Sequence, residues 1–282
     1  EKGEVIWPDR ILILLSRLML KERPGAKIVF DVKSTEALPE DIKTHGGIPV
    51  MWKTGHSYIK AKAKEVGAAL AGERSGHIFF FHGYYGYDDA TFAALKLLEY
   101  VSSRKEPISE ILKALPIYFT SPVWHAPCAD AQKYAIVEKL TEEFKKEYGS
   151  DKVIDINGAR VYIEDGWGLI RASSNVPALV LVFEAKTEEG LKKIEEIFRE
   201  KLSRLTADEF LVKRKEQTHE QWKKALSKEE ATEVETAELY VYGNATPDRL
   251  KQIAEWGEEH AKLLRTTFKL SNETIWKGKL AV

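Results

Sequence analysis

The 282 residues carry 43 Lys and Arg against 44 Asp and Glu, a net charge of −1 that excludes whole-chain attraction to nucleic acid or an anionic membrane, so any anion site must be local. One cysteine, Cys128, excludes an internal disulfide framework and fits a reducing, cytoplasmic setting. At 44% hydrophobic, the chain is long enough for two domains with separate cores.

The first strong apolar run, "ILILLSRLML" (11–20), is broken by Ser16 and Arg17 well short of a spanning length, and no basic segment precedes it, so it reads as a buried helix of a soluble protein with no membrane partner. Pro8 stands at a plausible first helical position. The first residue is Glu1, which suggests a piece of something longer. "KIVFDV" (27–32) and "IPVMW" (48–52) read as short strands, with a short helix over "PEDIKTHGG" between them. "SYIKAKAKEVG" predicts a helix with Ser57 as N-cap, "AALAGE" and "HIFFF" two more strands, and "DDATFAALKLLEYVSSR" a long helix. Strands alternating with helices predict a three-layer α/β/α domain over residues 1–107.

"RKEPIS" (104–109) reads as a linker. Beyond it, "DAQKYAIVEKLTEEFKKEYG" and "TEEGLKKIEEIFREKLSRL" are amphipathic helices flanking three strand-like runs, "KVIDING", "ARVYIEDGWGLIRA" and "ALVLVFEA", which predicts a smaller α+β domain over 108–205. Residues 206–233 are charged and nearly free of aliphatic side chains, as in a solvated linker or helix. Residues 234–282, with a strand over "AELYVYGN", a capped helix over "TPDRLKQIAEWGEEHAKLL" and a strand-like "KGKLAV", read as the start of a further, partial α+β domain.

Chemistry concentrates in three places. "GERSGH" (72–77) interrupts apolar β structure with Glu73, Arg74, Ser75 and His77, a set able to accept and donate hydrogen bonds to a polyhydroxylated ligand. The plainer reading is a tight hairpin whose glycines supply positive φ and whose polar groups face water. A metal reading through Glu73, His77 and His56 is disfavoured by Gly72 and Gly76, and no CxxC or HExxH pattern supports it, so no metal ligand is assigned. Lys33 and His56 each follow a predicted strand, at the carboxyl edge where open α/β sheets bind ligands. "RASSNVP" (171–177) sets Arg171 beside Ser173, Ser174 and Asn175, which can form an anion site or an ordinary polar turn. "HGYYGYDD" (82–89) reads as packing, with Asp88 or Asp89 as an N-cap, and there is no Walker loop, dinucleotide fingerprint or Ser-His-Asp spacing.

Together, "IVFDVKST", "PVMWKTGHSYIKAK", "GERSGHIFF", "YGYDDATFAALKLLE" and "GWGLIRASSNVPALVLVFEA", in that order, resemble the bacterial phosphomannomutase/phosphoglucomutases of the α-D-phosphohexomutase superfamily, over residues 1–205. The resemblance implies the third and fourth of four domains around one cleft. Glu73 and Ser75 would hold sugar hydroxyls with His77 beside them, and Lys33 and His56 would be phosphate contacts or acid/base groups near the reacting oxygen. Arg171, Ser173, Ser174 and Asn175 would clamp the non-reacting phosphate. The implied reaction interconverts hexose 1- and 6-phosphates of glucose or mannose through a 1,6-bisphosphate, with glucose 1,6-bisphosphate as intermediate or activator. It uses a phosphoserine and Mg²⁺ held by domains of the same enzyme that precede this stretch. No serine loop or aspartate-rich loop matching those exists here, so the chain alone is expected to bind and not to turn over. The rival expectation is a non-catalytic sugar-phosphate-binding module fused to another domain. Two residues depart from the family pattern. Arg74 stands where methionine is usual, either adding a charge near the sugar or pointing outward, and "RASSN" replaces Arg-Ala-Ser-Asn-Thr.

Overall fold

The computed structural model describes residues 5–205, 232–235, 239–243, 246–268 and 280–281. The chain divides into two compact units, Glu1–Phe198 and Arg199–Val282.

The first unit begins with α1 (Pro8–Glu22), β1 (Lys27–Asp31), α2 (Ala37–Thr44), β2 (Ile48–Trp52), α3 (His56–Val66), β3 (Leu70–Gly72), β4 (Ile78–Phe80) and α4 (Ala90–Ser102). The sheet order is β2-β1-β3-β4, parallel except for the antiparallel edge strand β4. Side chains alternate across each strand. Ile28, Phe30, Leu70, Ile78 and Phe80 therefore pack under Leu12, Leu15 and Met19 of α1 and Leu38 and Ile42 of α2. Val29, Ala71 and Phe79 face the other way, onto Ile59 and Ala63 of α3. Helices on both faces give the three-layer α/β/α arrangement expected from the alternating sequence, and they explain why "KIVFD" is apolar without alternation.

Two local expectations are corrected. α3 starts at His56 with Gly55 at the N-cap and no side-chain cap, so Ser57 lies inside the first turn. Asp89 does cap α4, accepting from Phe92 N at 2.9 Å. Ile108 and Ser109, read as linker, already belong to α5 (Ile108–Lys113), whose Ile111 packs on Leu14 and Leu18 of α1 and Tyr100 of α4.

The rest of the first unit is antiparallel. β5 (Phe119–Thr120), β6 (Trp124–Pro127), β7 (Val153–Ile154), β8 (Ala159–Ile163), β9 (Gly166–Ala172) and β10 (Ala178–Ala185) form a sheet of order β5-β10-β9-β8-β7, with β6 also on β10. The run "ARVYIEDGWGLIRA" is therefore two strands, turning at Glu164, whose φ is 51°. One sheet face packs on α6 (Asp130–Tyr148) and α7 (188–205), where Phe198 lies 4.6 Å from Phe144 and 5.3 Å from Phe183 between ring centroids. Gly168 sits under that ring, and a Cβ there would fall inside the van der Waals radius of Phe198. The opposite face carries Arg160, Tyr162, Trp167, Leu169, Val182 and Glu184, and its Trp167, Leu169 and Val182 pack against Val32, just past the end of β1.

That second face makes the joint between the two sheets. Arg160, fully buried, donates from Nη1 to Val32 O (2.8 Å) and Ser34 O (2.9 Å) and from Nη2 to Glu36 Oε2 (2.6 Å). Its guanidinium lies 3.6 Å from the centroid of Trp167. Glu184, also buried, accepts from Glu36 N (2.8 Å) and Trp167 Nε1 (2.9 Å), and burial raises its pKa above the ordinary glutamate value.

In the second unit β11 (Thr232–Glu235), β12 (Leu239–Gly243) and β13 (Leu280–Ala281) form a sheet of order β11-β12-β13, and α8 (Pro247–Phe268) packs on β11 and β12, burying Leu250 and Ala254. The strand and helix read from "AELYVYGN" and "TPDRLKQIAEWGEEHAKLL" are present. Nearly all of the expected charged linker, residues 206–231, lies outside the described residues. Among the described residues no helix is long and apolar enough to cross a membrane.

Candidate functional site

The loops after β1, β2 and β3 meet at the carboxyl edge of the parallel strands, and Asp31, the last residue of β1, ties them together. Its Oδ1 accepts from Ser34 Oγ (2.9 Å) and Arg74 N (3.0 Å), and its Oδ2 from Thr54 Oγ1 (2.8 Å), so one buried carboxylate holds all three loops. Lys33 Nζ lies 3.5 Å from the same Oδ2 and remains partly exposed.

"GERSGH" is both a hairpin and a polar cluster. Glu73 N donates to His77 O at 2.9 Å, and Gly76 takes the positive φ of 104° that the turn needs. Glu73 nevertheless faces inward. Its Oε1 accepts from Gly55 N (3.2 Å) and its Oε2 from Ser75 Oγ (3.1 Å). Burial, reinforced by the nearby Asp31 charge, raises the Glu73 pKa above its ordinary value. Arg74 also turns inward and is buried, which removes the outward-pointing alternative. Ser75 and His77 stay exposed at the turn.

His56 is the first residue of α3, so a helix start and not a strand end presents it. It lies edge-on to Phe79 (4.9 Å) and to His77 (5.7 Å). Asp88 Oδ2 is 2.6 Å from His77 Nδ1 and 3.8 Å from His56 Nε2, so one carboxylate faces both imidazoles.

The antiparallel sheet supplies the remaining groups. Arg171, near the end of β9, is buried and donates from Nη1 to Ala172 O (3.2 Å) and Asn157 Oδ1 (3.4 Å). Burial lowers its pKa, and the carboxylates of Asp31 and Glu73 act in the opposite direction. Asn157 Oδ1 also accepts from Thr54 N at 3.1 Å, joining the β2 loop to the Arg171 neighbourhood. Ser173 is buried, and its Oγ accepts from Asn175 N and Val176 N, both at 3.3 Å. Lys133 of α6 fixes this turn from below, donating to Ser173 O (2.6 Å) and Val176 O (3.3 Å). Ser174 and Asn175 stand exposed at its tip, bonded to each other at 3.1 Å.

Lys33, Glu73, Ser75 and Arg171 thus share one connected neighbourhood, and His56 and His77 form a second pair on Asp88. Ser174 and Asn175 bond to neither. Sequence reasoning passed over Asp31, Thr54, Asn157 and Lys133, and took Asp88 only as a possible cap. Lys133 carried a readable signal, being a lysine on the apolar stripe of α6 with Ile136, Val137, Leu140 and Phe144. Among the described residues no group of three or more His, Cys, Asp or Glu converges as a metal centre.

Fold and site together define an α/β protein whose polar edge combines the carboxyl ends of a parallel sheet with turns of an antiparallel sheet. Residues 7–118 match the family model described as phosphoglucomutase/phosphomannomutase, alpha/beta/alpha domain III, and residues 125–201 the one described as phosphoglucomutase/phosphomannomutase, C-terminal domain. The chain belongs to the phosphoglucomutase/phosphomannomutase family. It is 43% identical over 206 residues to a phosphomannomutase/phosphoglucomutase of Pseudomonas syringae pv. tomato, covering 73% of this chain and 44% of that protein. To the protein of the same name from Pseudomonas aeruginosa it is 44% identical over 200 residues, covering 71% and 43%. A crystal structure of a phosphoglucomutase/phosphomannomutase family protein from Burkholderia thailandensis superposes with a TM-score of 0.65 at 41% identity, covering 71% of this chain and 42% of that one. The chain spans less than half the length of these relatives.

Proposed function

We propose that this chain is the sugar- and phosphate-recognition half of a phosphohexomutase, which interconverts hexose 1-phosphate and hexose 6-phosphate of glucose or mannose through a 1,6-bisphosphate. The observation that carries the reading is the neighbourhood of Glu73 and Arg171, an inward-facing carboxylate and a buried guanidinium from different sheets, linked through Gly55, Thr54 and Asn157. Glu73 and Ser75 bind ring hydroxyls, with His77 beside them. Arg171 takes a phosphate by charge-assisted bonds, and Ser173, Ser174 and Asn175 complete that clamp. Lys33 and His56 serve as phosphate contacts or acid/base groups near the reacting oxygen.

Phosphoryl transfer depends on an in-line donor and on charge stabilisation around it. The phosphoserine and Mg²⁺ that serve this family by resemblance belong to domains whose residues are not in this chain. The chain on its own therefore binds and does not turn over. Residues 1–107 and 108–205 form the two recognition domains, and the setting is cytoplasmic.

The test is calorimetric titration of the chain with glucose 1,6-bisphosphate beside Glu73→Ala and Arg171→Ala. Half a cleft is expected to bind at roughly millimolar Kd, about 4 kcal/mol. Saturable binding lost in both variants supports one shared site, and binding that survives both overturns it.

A further inference from the structure

Three successive main-chain carbonyls after β1 are held by two arginines. Arg160 takes Val32 O and Ser34 O, and Arg74 takes the one between, donating from Nη1 to Lys33 O at 3.1 Å. Arg74 is itself buried and anchored at several points. Its main-chain N donates to Asp31 Oδ1 (3.0 Å), its Nη1 lies 3.8 Å from Asp9 Oδ2, and its guanidinium carbon is 5.8 Å from the Trp7 ring centroid. Asp9 closes the circuit by accepting from Thr35 N at 3.0 Å, so it grips the far end of the same loop.

We propose that Arg74 is a positioning residue: it fixes Lys33 by holding the Lys33 carbonyl, and so couples the sugar hairpin 73–77 to the loop that presents the lysine. This rests on the function proposed above and deepens it. The physical case is that a turn with a solvated backbone samples many conformations at little cost, whereas one with three carbonyls tied to buried guanidinium groups does not. Arg74 is placed to do this because it follows Glu73 directly. A displacement of the hairpin that moves Glu73 also pulls on Lys33, so the two ends of the recognition edge are set together.

The chain carries the test. Arg74→Met, Arg74→Lys and the double variant Arg74→Met/Asp9→Asn are compared by peptide-resolved amide hydrogen exchange, thermal melting and titration with glucose 1,6-bisphosphate. Arg74→Met alone strands the buried Asp9 carboxylate and is expected to lower the melting temperature, and Asp9→Asn relieves that. Exchange at residues 32–35 is expected to quicken about tenfold in Arg74→Met and to stay fast in the double variant, with affinity falling by a similar factor, while Arg74→Lys recovers part of both. If protection at 32–35 is unchanged, or returns with the melting temperature in the double variant, Arg74 is only a structural counter-charge and the proposal is overturned. If the unmodified chain binds no bisphosphate, the ligand assignment fails, and the exchange data still decide whether Arg74 holds the Lys33 loop.

Discussion

Replacing Arg160 by leucine removes the centre of the joint between the sheets. The side chain is 0% exposed, and it satisfies Val32 O and Ser34 O while pairing with Glu36, whose side chain is 24% exposed. Leaving two buried acceptors and one partly buried carboxylate without their donor costs about 3–5 kcal/mol, and leucine against Trp167 offsets about 1 kcal/mol of it through apolar burial. The net loss of about 3 kcal/mol should lower the melting temperature of the first unit by roughly 10 °C. Thermal denaturation followed by far-UV circular dichroism measures this for Arg160→Leu, Glu36→Gln and the double variant. The double variant is expected to lose about 1 kcal/mol less than the sum of the single variants, because the stranded carboxylate is gone. A loss below about 1 kcal/mol for Arg160→Leu, or strict additivity, would refute the view that these groups act as one network.

Gly168→Ala pushes a methyl group into Phe198, which Phe144 and Phe183 hold in place, and should cost about 1–3 kcal/mol in urea denaturation. Gly25→Ala meets no neighbour, and its cost of about 1 kcal/mol comes from the positive φ of 76° alone. Lys133→Met releases Ser173 O and Val176 O and should weaken the proposed phosphate binding, read by calorimetry, by about tenfold with the helix content unchanged. The raised pKa of Glu184 fixes a sign. The folded state holds its proton more tightly than the unfolded state, so this group's contribution to stability falls as pH rises from the ordinary glutamate value through the raised one, and Glu184→Gln should flatten that part of the melting-temperature profile.

The layers of the first sheet were legible because their causes are local. Apolar strands bounded by Gly and Pro, and amphipathic helices between them, carry their own periodicity, and the same holds for α6 and α8. The hairpin inside "ARVYIEDGWGLIRA" was not legible, since a turn at Glu164 and Asp165 lacks the Asn-Gly or Asp-Gly pair in the usual place, and the following Gly166 opens β9. Candidate residues after strands could be found because topology sets such positions at one edge, whereas the meeting of Arg171 with Lys33 and Glu73 depends on the bonds through Thr54 and Asn157, which no local pattern shows. Asp31 and Asn157 escaped because their significance rests chiefly on partners distant in sequence. Nothing in "VFDVK" says that its aspartate receives bonds from the loops at residues 54 and 74.

The bonds of the joint have a consequence for the order of assembly. Arg160 reaches residues 124 to 128 positions away, Glu184 reaches Glu36 across 148, and Thr54 reaches Asn157 across 103. Contacts of such long sequence separation form only after the intervening chain is in place. During synthesis the ties from Arg74 and Asp9 to the Lys33 loop are available within the parallel sheet, whereas the bonds from Arg160 to Val32 O and Ser34 O, on either side of Lys33, wait until β8 has left the ribosome. The Lys33 loop is thus completed in two stages, first by its own sheet and then by the sheet that follows it in the chain.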